Sequence, residues 1–475
     1  MLTEAPQERT DLRSGVSVIR SGLVAFAARA QAARDAVRSL DLQYYAWRND
    51  LTGKVLAREV LRAADRGVRV RLLLDDMYAI GGERMLAALD AHPAIEVRLF
   101  NPTHWRRFGR LGLVLELLFG GRHLNRRMHN KAWLADGNLA ICGGRNIGDE
   151  YFDASDAFNF RDMDLAVAGP AARQAQAVFD RYWHHRLAQP VSAVVPSAHR
   201  RRGGLRALAR RFDAACAAPE AAPFFAGLSD DPGVARVRAQ DPSGVTPVAP
   251  TALRIQADPP DKASGDALPS EGLAEAILGA LRGAEREALL ISPYFVPGET
   301  ATALLEAMAR RGLRVSVVTN SLAATDVVAV HGGYARYRER LLEAGVGLHE
   351  LKPSGDEGAT VFGSRGASLH TKAMVIDRAR SFVGSFNLDP RSAMLNTEMG
   401  VFVDDVAVAR QLVEEHARLV DPARSWRVRR AAPGHLAWTA EVGGELVERR
   451  GEPDASLGRR VLAWVTRRLP IESQL

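Results

Sequence analysis

The chain carries one chemical pattern twice, and that repetition constrains its fold more than any other feature. His129-Asn130-Lys131 followed by Asp136 reads His-x-Lys-x4-Asp, and His370-Thr371-Lys372 followed by Asp377 reads the same. Each copy is trailed at matching distance by a short turn: Gly143-Gly144-Arg145-Asn146 in the first, Gly384-Ser385-Phe386-Asn387 in the second. The basic residues are almost all arginine; the lysines are Lys54, Lys131, Lys262, Lys352 and Lys372. With 12 histidines, about 0.1 accidental His-x-Lys pairs are expected, before an Asp is required downstream. Lysine offers a compact point charge where arginine offers a wide planar fork. Its use in the two motifs points to phosphate oxygens held close. The bland alternative, a surface His/Lys pair on a strand, does not account for a repeat at homologous places.

The repeat extends beyond the motifs. Ser39 to Trp47 reads as a buried strand, Leu51 to Arg66 as a helix, and Gly67 to Leu74 as a strand ending in Asp75-Asp76. In the second half Ala288 to Phe295, Glu299 to Arg311 and Gly312 to Val318 repeat that order, the last ending in Thr319-Asn320. Ile95 to Pro102 parallels Val346 to Pro353. Strand–helix–strand alternation predicts an α/β fold, with mostly parallel sheets flanked by helices in each half. Residues 1–195 and 251–475 are expected to form the two similar domains. Residues 196–250, with Arg200-Arg201-Arg202, Arg210-Arg211 and an Ala/Pro-rich stretch, read as a linker and helical insert. Ser456 to Leu469 fits an amphipathic helix with Arg459, Arg460, Arg467 and Arg468 on its polar face.

Composition narrows the chemistry. A chain of 475 residues exceeds one compact core. The net charge of +7 favours a phosphate-rich partner, lipid headgroups or nucleic acid. Two cysteines, Cys142 and Cys216, build neither a disulfide framework nor a zinc site. No run approaches the roughly 20 apolar residues of a bilayer span, and no secretory signal is evident, so work on lipid would proceed from the membrane surface.

Phosphodiester exchange needs a nucleophile, an acid for the leaving oxygen, positive charge on the non-bridging oxygens, and placement. The candidate catalytic set is His129, Lys131, Asp136, His370, Lys372 and Asp377, with Asn146, Ser385 and Asn387 as phosphate-binding candidates. On a strand His and Lys share a face, whereas the Asp leaves it. The Asp is therefore expected to act on strand ends or buried donors. No carboxylate cluster of the Mg²⁺-binding kind accompanies the motifs, so a cofactor- and metal-free route through a phosphohistidine is the expectation. A catalytic histidine needs a partner on its other ring nitrogen. Asp162 follows the first motif and Glu398 the second at a similar remove, and they are the candidates for orienting His129 and His370; Asp164 is an alternative to Asp162.

Paired His-x-Lys-x4-Asp motifs with Gly-Gly/Ser-x-Asn turns resemble the phospholipase D superfamily. The stretches Asp41 to Trp47, Asp50 to Gly53, Arg126 to Lys131, Gly143 to Phe152 and Gly384 to Arg391 look like bacterial cardiolipin synthases of the type lacking transmembrane helices. One departure is the stretch Leu111 to His123, which is more apolar than the pattern. The resemblance implies two similar domains sharing an active site at their interface, His129 as nucleophile and His370 as acid. It implies transfer of a phosphatidyl group from one phospholipid to phosphatidylglycerol, with phosphatidylethanolamine a candidate substrate, on an anionic membrane surface inside a bacterium. Trp105 to Arg110 followed by Leu111 to Phe119 would suit shallow insertion into lipid, or equally a buried helix. Two alternatives stand beside the transferase. One is a hydrolase, phospholipase or nuclease, with water as acceptor; the dispersed arginines disfavour a nucleic-acid groove. The other is a phosphodiester-binding module with a spent site, which two intact motifs disfavour.

Overall fold

The computed structural model describes residues 14–103, 105, 109–118, 122–195, 204–240, 245–249, 252–266, 272–353 and 367–474. Two large sheets account for most strands. The strands of the first are β1 (Ser14–Ile19), β2 (Ser39–Tyr44), β3 (Arg69–Asp75), β4 (Ile95–Phe100), β5 (Ala132–Ala135), β6 (Leu139–Gly143), β8 (Asp164–Ala168), β9 (Ala188–Pro190) and β10 (Thr246–Val248), and β7 (Asn159–Arg161) lies apart from it. Their spatial order is β10-β1-β8-β6-β5-β2-β3-β4-β9. The second sheet contains β11 (Leu253–Ala257), β12 (Glu287–Ile291), β13 (Arg314–Asn320), β14 (Gly347–Leu351), β16 (Ala373–Ile376), β17 (Arg380–Gly384), β18 (Met399–Asp404), β19 (Ser425–Ala432), β20 (His435–Val442) and β21 (Glu445–Arg450). Its order, β11-β18-β17-β16-β12-β13-β14-β19-β20-β21, repeats the first sheet strand for strand from β1 to β9. Each sheet then adds its own edge, β10 in one and β20-β21 in the other.

The sheets are mixed, which corrects the expectation of mostly parallel ones. Within the two large sheets parallel pairing is confined to β2-β3-β4 and β12-β13-β14. These are the stretches where helices such as Leu51–Asp65 and Gly298–Arg310 make crossovers. The His-Lys motifs lead instead into short hairpins, β5–β6 and β16–β17, which run antiparallel. The central strands are buried on both faces; all of β12 and all but Arg69 of β3 are buried.

One apolar cluster belongs to the first half and another to the second, while a third is shared. The shared layer joins Leu73, Leu134 and Phe179 to Leu289, Val375 and Leu412, so the two sheets face each other across common packing. Its helices are Ala172–Trp183 and Val406–Leu419. The halves are also stitched by backbone. β7 pairs in parallel with β15 (Ala367–Leu369), and Met128 bridges Thr397. Those two crossings lie beside the two motifs.

Among the described residues no helix is long and apolar enough to cross a membrane. In the stretch expected to insert into lipid, residues 104, 106–108 and 119–121 lie outside the description. Residues Gly109–Leu118 form a helix in which Glu116 is buried, accepting from the Trp105 N–H at 3.0 Å and from the Thr103 hydroxyl, while Leu111 and Val114 are exposed. Of the Arg200 to Arg211 patch, residues 200–203 lie outside the description, and Arg206, Arg210 and Arg211 are exposed on the helix Gly204–Ala217.

Candidate active site

Each motif histidine sits in extended chain just before a hairpin strand, and the strand crossings fix it against the opposite half. The His129 N–H donates to the Thr397 carbonyl at 2.9 Å, and the His370 N–H donates to the Arg161 carbonyl at 2.7 Å. Thr397 precedes Glu398, and Arg161 precedes Asp162. The carboxylates therefore serve the histidines of the other half. Glu398 meets His129 Nδ1 at 2.8 and 3.0 Å, and Asp162 meets His370 Nδ1 at 2.5 Å. With Nδ1 occupied, Nε2 is the nitrogen each ring has left for chemistry. Asp164, the alternative, instead holds Arg29 at 3.0 Å and Arg145 at 3.3 Å inside the first half.

Both imidazoles line one cleft of about 380 Å³, together with Asn146, Asn387 and Arg391. Aromatic rings pack on them: Tyr45 lies 5.1 Å from the His129 ring, and Phe160 and Tyr151 lie 4.8 and 5.3 Å from that of His370. Lys131 Nζ donates to the His129 carbonyl at 2.6 Å, and Lys372 Nζ to the His370 carbonyl at 2.5 Å. Both ammonium groups are buried. Asn146 accepts from the Ala46 N–H at 3.2 Å and donates to Tyr151 at 3.0 Å. Among the described residues the Asn387 side-chain oxygen is buried without a hydrogen-bond partner, an acceptor left open to a donor such as a hydroxyl.

The structure corrects two candidate assignments. Asp136 and Asp377 stand beyond the far ends of β5 and β16, seven residues on from the histidines, roughly 23 Å at ordinary strand rise. Asp136 accepts from the N–H groups of Val37, Arg38 and Ser39 at 3.0, 2.7 and 2.8 Å. Asp377 accepts from those of Glu285, Arg286 and Glu287 at 3.1, 2.7 and 3.0 Å. Each tethers the start of the central strand, the strand-end role the motif spacing anticipated, and neither touches the cleft. Ser385 likewise is turned away from a phosphate position. Its hydroxyl donates to Glu398 at 2.5 Å and accepts from the Met399 N–H at 3.0 Å. A residue that spacing did not flag, Ser392, donates to the other Glu398 oxygen at 3.0 Å. Tyr45, Tyr151 and Phe160 were also not singled out. Tyr45 is the first residue beyond β2, and its place at a strand end facing the motif was the available signal.

Electrostatics separates the two histidines. Burial, reinforced by Lys131, Lys372 and His370, drives His129 well below its usual value. Burial and Lys372 lower His370 too, but the Asp162 carboxylate opposes them. Burial raises Asp162, yet His370, Lys372 and Arg145 outweigh it and hold this acid below the usual carboxylate range. Burial pushes Glu398 up to about 7 against Lys131 and the Ser385 hydroxyl. Burial brings Lys372 down to about 8, with Asp162 and Glu398 opposing. The arrangement supplies a neutral imidazole with an open Nε2 on one side of the cleft. On the other it supplies an imidazole backed by an ionised carboxylate, and so the readier to carry a proton.

Among the described residues, His331, Glu350 and Glu452 place ligand-type atoms within 4.8 Å of one another. The Arg338 guanidinium occupies that cluster, 2.6 Å from Glu452 and 3.3 Å from Glu350. It is an internal ion-pair network.

The comparisons with known proteins show the family. Residues 30–183 and 277–420, which contain both motifs and both carboxylates, match the family model described as cardiolipin synthase, PLD-like domain. The chain is 37% identical over 476 residues to cardiolipin synthase C of Escherichia coli, covering 96% of this chain and 95% of that protein. It is 26% identical to a cardiolipin synthase of Halalkalibacterium halodurans, covering 82% of this chain and 63% of the relative. Among solved structures, phosphatidylserine synthase of Haemophilus influenzae superposes with a TM-score of 0.63 at 12% identity, covering 97% of this chain and 95% of that one, which speaks for the fold. The chain belongs to the phospholipase D superfamily, in its cardiolipin synthase branch, and is an enzyme of the phosphatidyltransferase kind.

Proposed function

We propose that the protein forms cardiolipin from phosphatidylglycerol and a second phospholipid through a covalent phosphohistidine, with no metal ion in the reaction. His129 Nε2 attacks the phosphorus of the donor lipid. The bond from phosphorus to the headgroup oxygen breaks, and that oxygen takes a proton from His370 Nε2. The freed headgroup alcohol leaves. His370, now neutral, takes the proton of a phosphatidylglycerol hydroxyl, whose oxygen attacks phosphorus from the vacated side. The bond to His129 breaks and both residues return to their starting forms. Lys131, Lys372, Asn146 and Asn387 supply charge and donors for the non-bridging oxygens. Asp162 and Glu398 hold the rings and their tautomers.

The observation that carries this reading is the crossed pairing. Each histidine is held by a carboxylate from the other half, and both rings line one cleft. Two groups on opposite sides of a single phosphorus are what an in-line double displacement requires. The name of the Escherichia coli relative supports the choice of product.

The test offers purified protein phosphatidylglycerol with and without phosphatidylethanolamine, in the presence and absence of EDTA, and separates products by mass. Cardiolipin insensitive to EDTA is the expected result. Phosphatidic acid alone would assign the protein to the hydrolases, and loss of turnover with EDTA would overturn the metal-free route. Quenching the wild type in alkaline denaturant during turnover of a phosphorus-labelled donor should trap base-stable label on the chain that acid releases, and His129→Ala should show none.

A further inference from the structure

The helix Leu457–Thr466 faces the opposite way from a helix that covers a domain. Its buried residues are small, Ala463 and Thr466. They press on the helix Val328–Tyr334 at Gly332, where a Cβ would lie 2.2 Å from Thr466 Oγ1. Its large apolar residues point outward: Leu457, Val461, Trp464 and Val465 are 76, 53, 57 and 38% exposed. These positions follow the i, i+4, i+7, i+8 spacing of one helix face. At about 100° per residue that face lies opposite Ala463 and Thr466. The apolar stripe expected from sequence faces solvent, but the four arginines do not share one polar face: Arg459 lies on the packed side and Arg468 within the stripe. Arg460 and Arg467 are exposed beside the stripe, and the Arg468 guanidinium lies 3.7 Å over the Trp464 ring.

The helix is fixed beside the mouth of the active-site cleft. Arg459 donates to the Leu322 carbonyl at 2.9 Å and to that of Thr325. The segment it grips supplies Asp326, Val327 and Val330 to the cleft lining. After the helix the chain returns to the cleft: Arg336 holds Glu472 at 3.0 Å, and Gln474 lines the opening. Val327 on the rim is 39% exposed, and Met394, next to the cleft-lining Arg391 turn, is 55% exposed.

We propose that this stripe docks the protein on the surface of an anionic phospholipid bilayer. Leu457, Val461, Trp464 and Val465 enter the boundary between headgroups and acyl chains, and Arg460 and Arg467 meet lipid phosphates. Docking there presents the cleft mouth to the headgroups it must receive, so the inference rests on the lipid-transfer reading above. The chemistry favours lipid over a protein partner. Residues 456–470 contain four arginines and no acidic residue, complementary to anionic headgroups, and tryptophan suits that interface. A second copy packed stripe on stripe about a twofold axis would set these arginines against their own kind.

The test uses the full chain in vesicle flotation, with phosphatidylcholine vesicles containing or lacking phosphatidylglycerol, alongside turnover of phosphatidylglycerol in detergent micelles. Wild type should float with the anionic vesicles and not with pure phosphatidylcholine. Val461→Asp with Trp464→Asp should weaken that binding by about ten-fold or more, whereas Val461→Leu with Trp464→Phe should stay within about two-fold. Arg460→Glu with Arg467→Glu should abolish the dependence on phosphatidylglycerol. The aspartate variant should keep its micellar turnover, which shows that it is folded. Unchanged flotation of that variant would overturn the proposal. So would a wild-type dimer by light scattering that the variant dissolves with no change in vesicle binding. If micellar assays yield no transfer yet wild type still floats through this face, the catalytic reading falls and the docking stands. Cardiolipin formation in micelles by a protein that ignores vesicles gives the reverse.

Discussion

The two histidine–carboxylate pairs solve one placement problem with different parts. In one, the shorter Asp162 reaches His370, and the facing turn position is Gly144, where a Cβ would lie 2.3 Å from the Asp162 Oδ1. In the other, the longer Glu398 reaches His129, and the equivalent position, Ser385, has a hydroxyl that donates to it. The Gly-Gly versus Gly-Ser difference between the motifs is thus coupled to Asp versus Glu in the opposite arm of the same half. The electrostatic outcomes differ as well. Asp162 is held below the usual carboxylate range, whereas burial takes Glu398 to about 7. An ionised partner keeps His370 the better proton carrier, and a weaker one leaves His129 the better neutral nucleophile. Environments that push paired groups apart in this way sort acid from base.

The sharpest way to break this comparison is to remove each ring in turn. His129→Ala should lose about 10⁴-fold or more in kcat with any leaving group, because no intermediate forms. His370→Ala should lose as much with a natural lipid donor. With an aryl phosphodiester, whose phenolate leaves without a proton, the loss in the first step should shrink to about 10–100-fold. A phenolate burst in His129→Ala that is missing from His370→Ala would reverse the assignment.

The partners should follow in order. Asp162→Asn replaces an ionised carboxylate with an amide and should cost about 10²–10⁴-fold in kcat. Glu398→Gln should cost less, about 10–100-fold, since burial already holds Glu398 near half-protonation at neutral pH. Its pH profile checks the sign. Wild-type kcat/KM should fall as pH drops below about 7 and Glu398 gains its proton. That limb should be missing from Glu398→Gln and present in Asp162→Asn.

Exchanging the turn residues tests the coupling itself. Gly144→Ser forces its Cβ into Asp162 and should lower stability by about 2–3 kcal/mol, with loss of turnover. Ser385→Gly removes one donor from Glu398 without a clash and should cost about 1–2 kcal/mol. Denaturant midpoints for the two variants read this difference, and equal losses would show that the turn does not discriminate between the carboxylates.

Much of this site was legible in the sequence because it is written twice. Repetition points to His129, Lys131, His370 and Lys372, and a similar remove from each motif, 33 and 28 residues, points to Asp162 and Glu398. What spacing along the chain cannot show is which half a side chain crosses to. The exchange of carboxylates is set by the β7–β15 and Met128–Thr397 pairings between strands far apart in sequence. Rarity of lysine was informative but incomplete. Lys262 and Lys352 are also buried, one holding Asp258 at 2.7 Å and the other donating to the Glu441 carbonyl at 2.6 Å, both in structural roles. The Gly-Ser-x-Asn turn points to Ser385 as a phosphate-binding residue, yet its hydroxyl turns inward to Glu398. The strand–helix alternation gave the parallel centres of both sheets. It missed the antiparallel flanks because a hairpin of two short buried strands has no helix to announce it.

Asp136 and Asp377 offer the smallest effect and the cleanest separation of stability from chemistry. Both sit in left-handed backbone, φ 54° and 55°, a conformation that Asp tolerates. Each gathers three N–H groups, which outweigh the cost of partial burial and hold the carboxylate below its usual value. A depressed folded-state value means that the stabilisation is present above the ordinary carboxylate range and is lost as pH falls through the folded value. Asp136→Asn should therefore lower stability by about 1 kcal/mol at neutral pH, with the gap closing as pH falls through the lowered folded-state value. Asp377→Asn should behave alike, since Arg286 donates to the Asp377 carbonyl at 2.9 Å just as Arg38 does to that of Asp136 at 2.7 Å. Thermal melts across pH measure the gap. Turnover of the still-folded variants should stay within about two-fold. A large loss of kcat with intact stability would place these acids in the reaction, and the strand-tether role would have to be abandoned.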